Sequence, residues 1–374
     1  MNDTLPSSMR VAVLYDVDDI RIEERPLPDL KSGELLVQTR ASGICSGDVM
    51  GWYIRRKAPL VLGHEPAGVV AAVGSGSPPL DYTGRAFAVG DRVFCHHHAP
   101  CFECAFCLRG DYVQCLRWRS TQLDPGGLAE FFRVPHANVG DTLRLPDTLT
   151  FQDAALTEPL ACVVKSLRRA EVRSSENVYV IGLGAMGLMH VILAQWKGAR
   201  VFASDFQKHR RELGRKMGAQ VLEPSAGSGQ LRDATQGRGA DIVICGPGTP
   251  AALHAALADV CAGGRVVMFT PLDPAQRFAF DMNDFYFRDI RLIASYSCGP
   301  DDTREALDIL SAGVVTAEKL GTTEFSLAET PTAYKALVQG NVIKPLIIFE
   351  RPKSAMSSHT ASTPRTHLRD RLRR

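Results

Sequence analysis

Two regimes of hydrophobic patterning divide the chain. Up to about residue 160 the apolar residues come in short runs with strand character. Residues 10–15 and 20–24 flank a polar turn at 16–19. Residues 34–41 and 68–73 follow, and Gly90-Asp91-Arg92 marks a turn before a short apolar run at 93–95. From about residue 162 strands and helices alternate. The pattern predicts strands at 178–181, 200–204, 241–245, 265–270 and 290–295. Helices are predicted at 185–197, 208–217 and 250–260, then a helix at 303–312 and a last strand at 344–349. A βαβ progression of this kind implies a parallel sheet with helices on its faces. The predicted fold class is α/β: a β-rich domain joined to a doubly wound parallel sheet.

Composition narrows the picture little. The 374 residues suit two domains, and 45% apolar with 22% charged residues is ordinary for a globular protein. A formal net charge of +2 gives no electrostatic case for nucleic acid. Residues 178–196 lack Asp, Glu, Lys and Arg over about the length of a membrane span. A glycine motif inside that stretch explains it better as a buried strand and helix, so no membrane contact is expected. Residues 1–10 are polar and show no signal peptide, and ten cysteines with four in one cluster suit a reducing compartment such as the cytoplasm. Residues 353–374 carry six basic residues against one acid and read as a disordered basic tail.

Those four cysteines, Cys101, Cys104, Cys107 and Cys115, form a C-x2-C-x2-C-x7-C run. Thiolates at such spacing suit a tetrahedral Zn²⁺, and four of them fill every position, which makes the site structural. A disulfide pair or an iron–sulfur cluster is the competing reading. Three thiols two residues apart cannot all pair with one another.

A second motif lies at Val178-Tyr179-Val180-Ile181-Gly182-Leu183-Gly184-Ala185-Met186-Gly187, an apolar strand running into G-x-G-x-x-G. Gly182 serves the tight turn, Gly184 the close approach of backbone to a pyrophosphate, and Gly187 the packing of helix on strand. The helix N-terminus at Ala185 and Met186 then offers unpaired N–H groups to phosphate. Asp205 ends the next strand, where a carboxylate accepts from a ribose 2′-OH and repels a 2′-phosphate. NAD is therefore favoured over NADP. Asp205 also reads as a helix N-cap, and Lys208, His209, Arg210 and Arg211 nearby are able to serve a phosphate.

Cys45, His64, Glu65 and Glu158 each have a bland explanation alone: a small buried hydrophobe, a satisfied histidine, a helix-start carboxylate. Combined with Gly63-His64-Glu65, Gly90-Asp91-Arg92-Val93, the cysteine lobe, Gly126-Gly127-Leu128-Ala129-Glu130, Glu158-Pro159-Leu160 and the glycine fingerprint, they make a pattern. Over about residues 10–350 the chain resembles the zinc-containing medium-chain dehydrogenase/reductase family, in its sorbitol and threonine dehydrogenase branch. The resemblance implies a GroES-like catalytic domain over 1–161, a Rossmann domain over 162–305 and a return segment at 306–352. It implies one catalytic and one structural zinc per chain, an NAD cofactor and a homodimer or homotetramer.

For the catalytic zinc the resemblance implies Cys45 and His64 as ligands. Glu65 and Glu158 alternate, because Glu158 stands where alcohol dehydrogenases carry a third cysteine. Asp48 would orient His64 through the other ring nitrogen. The chain departs from the family at the proton route. Gly47 stands where relatives carry a hydroxyl, Ser46 has one a residue early, and Met50 replaces the histidine of threonine dehydrogenases. His97, in the pocket-facing position of relatives, is a candidate replacement that would titrate near neutrality. Trp52, Tyr53, Arg55 and Arg56 lie in a pocket-lining segment, and their polarity suits a polyol or sugar. The expected function is hydride transfer from a secondary hydroxyl of such a substrate to NAD. A simple alcohol dehydrogenase and a non-catalytic dinucleotide-binding protein are the alternatives.

Overall fold

The computed structural model describes residues 5–224 and 227–349. The expected basic tail at 353–374, and the end of the return segment at 350–352, lie outside the described residues.

The first half builds two sheets. Asp19–Pro26, Ser8–Asp16 and Leu60–Val61 form a three-stranded antiparallel sheet. Leu35–Gly43 is the spine of a seven-stranded sheet, flanked by Pro66–Val73 and Phe131–Val134 and extended by Arg92–Cys95 and Thr142–Arg144. The spine shows why strand alternation matters. Leu35 and Val37 face a core with Val93, Phe132 and Val134, while Leu36 faces another with Val11, Val13 and Phe131. Both faces are covered, so a shift of one residue in register would exchange the two sets. The same sheet is completed from the far end of the chain. Pro345–Ile348 pairs antiparallel with Leu35–Gly43, and Thr323–Ser326 pairs with it in turn.

Between these segments lies a six-stranded parallel sheet. Its order is Gln220–Val221, Arg200–Ser204, Asn177–Ile181, Ala240–Cys245, Val260–Met268 and Arg291–Ala294. The order reverses direction between Asn177–Ile181 and Ala240–Cys245, the switch point at which such sheets bind dinucleotides. Val178 and Val180 face a core with Leu188, Val191 and Leu193, and Tyr179 faces the opposite one with Leu253 and Ala256. The uncharged stretch 178–196 is thus strand Asn177–Ile181 followed by helix Ala185–Trp196, each half covered by its own core. Among the described residues no helix is long and apolar enough to cross a membrane.

Several elements differ from the pattern-based expectation. Helix Thr157–Arg169 runs straight through position 162, where the character of the sequence changes, so that change does not mark a linker. The strand expected at 265–270 begins at Val260. A register shift after Ala240 and the left-handed Gly263 (φ +72°) interrupt its pairing there and hide its first half from the apolar pattern. Strands Leu60–Val61, Thr142–Arg144 and Gln220–Val221 span two or three residues and carry too little pattern to be seen.

Candidate functional site

A cavity of about 660 Å³ runs from Cys45, Ser46 and Glu65 on the antiparallel side to Asp205 and Arg210 at the switch point. Its two ends correspond to the two chemistries expected from the sequence.

At the parallel-sheet end the glycine turn has the predicted shape. Gly182 has φ +91°, a conformation that disfavours any side chain. A Cβ on Gly187 would lie 1.9 Å from the Gly182 carbonyl oxygen, so helix and strand touch there through bare backbone. A Cβ on Gly184 would meet only Arg210 Nη1 at 3.9 Å, which leaves the space above the turn open. Gly184 is the N-cap of helix Ala185–Trp196, and no side chain caps it, so Ala185 and Met186 present N–H groups to the cavity. Asp205 is not the N-cap of the next helix; Gln207 is. Its Oδ2 accepts from Leu183 N at 2.8 Å and its Oδ1 from Gln207 N at 2.7 Å. The carboxylate is thereby fixed at the mouth with lone pairs to spare. Of the nearby bases, Arg211 donates to the Asp205 and Phe206 carbonyls and pairs with Glu223, and Lys208 lies near Glu212 in solvent. Arg210 alone of these lines the cavity, 3.8 Å from Asp205 Oδ2.

At the other end, the loop after Leu35–Gly43 brings Cys45 beside the turn carrying His64 and Glu65. Ligand atoms of these three residues lie within 4.8 Å of one another. Asp48 is buried, with Oδ2 3.7 Å from His64 Nδ1, an ion-pair distance longer than a hydrogen bond. Burial alone would push the His64 imidazolium down. The Asp48 and Cys45 charges outweigh it and hold His64 well above its ordinary range. An environment that favours positive charge at this point fits a divalent cation held by a thiolate, an imidazole and a carboxylate.

Glu65 is less free than the sequence suggested. Its carboxylate is fully buried and grips Lys344 Nζ at 2.5 and 2.6 Å, and Lys344 also donates to the Ile44 carbonyl. Burial disfavours the Lys344 charge, and Glu65 outweighs it and holds the ammonium above its ordinary range. Lys344 was missed in the sequence. The available signal was a lone cation entering the apolar run of the last strand. Glu158, in the first turn of helix Thr157–Arg169, is buried among thiols instead. Cys162 Sγ lies 3.5 Å and Cys298 Sγ 4.0 Å from its Oε1. Cys162, one turn further along the same helix, therefore shares the pocket with Glu158.

His97 sits against His64 with ring centroids 5.0 Å apart and against His98 at 4.0 Å; His98 in turn packs on Trp118, and Trp118 on Tyr296. These rings form one aromatic wall beside His64. Burial, then the neighbouring imidazoles of His98, His64 and His96, push His97 well below the usual imidazole range. That direction runs against the expectation of titration near neutrality and favours the neutral ring, whose Nδ1 is buried with no hydrogen-bond partner among the described residues. Ser46 is exposed and lines the cavity. Arg55 leaves the pocket for an exposed pair with Asp16 at 2.8 Å, and Arg56 lies over the Trp52 ring.

The four lobe cysteines are free thiols, with no disulfide among them. Sγ–Sγ distances are 3.8 Å for Cys101–Cys107, 3.5 Å for Cys104–Cys107 and 3.6 Å for Cys115–Cys101. A tetrahedron of Zn–S bonds of about 2.3 Å sets sulfurs about 3.8 Å apart, so the four thiols match a closed zinc site. Trp118 packs beneath them.

Comparison with known proteins agrees with this arrangement. Residues 31–147 match the alcohol dehydrogenase GroES-like domain family and residues 185–312 the zinc-binding dehydrogenase family. Sorbitol dehydrogenase of Bacillus subtilis (strain 168) is 30% identical over 360 residues, covering 91% of this chain and 96% of that protein. D-xylulose reductase A of Aspergillus oryzae is 31% identical over 353 residues, covering 90% and 95%. Among solved structures, alcohol dehydrogenase TADH from Thermus sp. ATN1 superposes with a TM-score of 0.80 at 28% identity, covering 91% of this chain and 99% of that one. A structure described as a zinc-binding dehydrogenase from Sinorhizobium meliloti 1021, bound to NADP, gives 0.80 at 27% identity, covering 92% and 100%. The chain belongs to the zinc-containing medium-chain dehydrogenases of the alcohol dehydrogenase superfamily and is sorbitol-dehydrogenase-like within it.

Proposed function

We propose that the protein is a polyol dehydrogenase that moves a hydride from a secondary hydroxyl of a sugar-like alcohol to NAD. The observation that carries this reading is the Cys45–His64–Glu65 cluster at one end of a cavity whose other end is the glycine turn and Asp205. The names of the relatives point the same way: sorbitol and D-xylulose are a polyol and the ketose of one.

In this reading Cys45 and His64 hold the catalytic zinc, with Glu65 and Glu158 as its alternating carboxylates. The four lobe cysteines hold a structural zinc. When bound, zinc supplies Lewis-acid activation of a hydroxyl and the nicotinamide supplies a hydride acceptor. The protein's part is positioning. Asp48 sets a negative charge beside the Nδ1 edge of His64. Lys344 holds Glu65 in place until another cation competes for the carboxylate. Glu158 presents a second carboxylate to the same space. The His97 ring offers a neutral nitrogen to a substrate hydroxyl, and the wall formed with Trp118 and Tyr296 excludes water from one side. Ser46 Oγ, open to the cavity, is the hydroxyl available to pass a proton outward, in place of the one that Gly47 lacks. Asp205 accepts from the adenosine ribose and sets the preference for NAD, while Gly182, Gly184, Ala185, Met186, Gly187 and Arg210 hold the phosphates.

The catalytic domain comprises residues 1–161 and 306–352, and the cofactor domain residues 162–305. The protein works as a homodimer or homotetramer in the cytoplasm. Two features support self-association: strand Arg291–Ala294 is an unpaired edge of the parallel sheet, and Met282, Tyr286 and Phe287 beside it are exposed. Screening of sorbitol, xylitol and simple alcohols with NAD and NADP, read by absorbance of the reduced cofactor, tests the reading. Polyols with vicinal secondary hydroxyls should give the highest kcat/KM. A clear preference for ethanol, or no reduction with any alcohol, would overturn it.

A further inference from the structure

A half-buried cysteine, Cys162, and a buried one, Cys298, stand beside the proposed catalytic site without a part in it. Cys162 and Cys298 come from different elements, helix Thr157–Arg169 and the loop before helix Pro300–Ser311, and meet at the carboxylate of Glu158. The ligand atoms of all three lie within 4.8 Å of one another. For tetrahedral zinc, bonds of about 2.3 Å to sulfur and 2.1 Å to oxygen place sulfur about 3.6 Å from oxygen. The two S–O separations here are 3.5 and 4.0 Å. The lobe that binds metal by every other criterion has contacts of the same length, 3.5 to 3.8 Å.

A second observation points to the same place. His96 is fully buried and turns Nε2 toward Cys298 Sγ at 3.7 Å. Its Nδ1 is tied to Asp141 at 2.6 Å, and Asp141 is itself fully buried. A carboxylate that fixes one ring nitrogen and aims the other is the usual support of a metal-binding histidine. Nothing in the hydride-transfer scheme calls for this Asp–His pair, which turns its free nitrogen toward one of the two thiols.

We propose that Cys162, Cys298 and Glu158, backed by His96, form a further binding site for a soft divalent cation, next to the Cys45–His64–Glu65 cluster and separate from it. Two thiolates select zinc or a zinc-like ion over magnesium or calcium. Each thiol gives its proton to solvent as its sulfur–metal bond forms. The proposal rests on the preceding reading only through Glu158, which that reading also gives to the catalytic zinc and which the structure places with Cys162 and Cys298. An ion here draws that carboxylate away from the catalytic position, so an excess of the cation should slow turnover.

The test uses the zinc-loaded protein, purified without added metal and then equilibrated with Co²⁺, a spectroscopic stand-in for zinc. One cobalt per chain should bind while zinc stays at two, with sulfur-to-cobalt absorbance equal to that of two thiolates. Cys162→Ala and Cys298→Ser should each weaken cobalt binding at least tenfold, whereas Cys45→Ser should lose one zinc and keep the cobalt site. Failure of Cys45→Ser to lose zinc would strike the catalytic reading alone. Cobalt that binds only as zinc leaves, that shows no thiolate absorbance, or that binds equally to both cysteine variants would overturn the proposal.

Discussion

The proposed preference for NAD rests on one residue and its neighbour. Asp205 is held by two backbone N–H groups, so its carboxylate would meet a ribose hydroxyl in a fixed position. A hydrogen bond to a charged group contributes roughly 1.5–3 kcal/mol, which corresponds to a preference for NAD of at least about tenfold in kcat/KM. Asp205→Ala should relax that preference. Equal kcat/KM with NAD and NADP in the unaltered protein would show that Arg210, 3.8 Å away, offsets the acid. His97 is the second test at this scale. Because its surroundings keep it neutral, His97→Ala should leave the pH–rate profile near neutrality unchanged. It should raise KM for a polyol about fivefold, the equivalent of a net hydrogen bond of roughly 1 kcal/mol. A profile that flattens near neutrality would make His97 a proton carrier after all.

Among the elements, helix Ala185–Trp196 joins the cofactor turn to the core and carries a titratable group inside it. His190 is fully buried, donates from Nδ1 to the Met186 carbonyl and accepts at Nε2 from Ser166. Burial pushes it down to about 4. An unfolded histidine titrates near pH 6.5, so between pH 6.5 and about 4 the unfolded chain binds a proton that the folded one refuses. Stability from this group is complete above pH 6.5 and falls as pH drops through that window. The loss from pH 7 to 4.5 should be roughly 2–3 kcal/mol smaller in His190→Gln than in the unaltered protein, measured by urea unfolding at both values. An equal loss in both would show that His190 is already protonated in the folded state. His190 also illustrates what the sequence shows and what it conceals. The strand, the glycine turn and the helix around it are legible because period and glycine spacing are local properties. The lobe cysteines are legible for the same reason, lying within fifteen residues. Cys162 with Cys298, His96 with Asp141, and Glu65 with Lys344 meet only through the fold, across separations of 45 to 279 residues in the case of the two polar pairs. No local pattern announces them. The shortest strands escape because two or three residues cannot display a period of two.

Among the described residues the seven-stranded sheet is interrupted by the parallel one: the chain leaves it at helix Thr157–Arg169, builds the parallel sheet, and returns to pair Pro345–Ile348 with Leu35–Gly43, while the first strands form a third, three-stranded sheet. That return seats Lys344 against Glu65, so the metal end of the cavity is completed by the last described strand. The open edge at Arg291–Ala294 makes self-association the expected state. Phe287→Asp should lower the mass seen by light scattering to that of a monomer of 40.7 kDa, and an unaltered protein that already runs at that mass would refute the edge as an interface. The central claim is that a labile zinc at Cys45 and His64 is what the alcohol chemistry needs, while a tightly held zinc in the lobe serves the fold. The direct measurement is zinc content alongside sorbitol-dependent NAD reduction and circular dichroism during mild chelation. Two zinc ions per chain should fall to one as activity disappears, with the spectrum unchanged and activity restored by added zinc. Activity that survives the loss of the first ion, or freshly purified protein with fewer than two, would contradict the account.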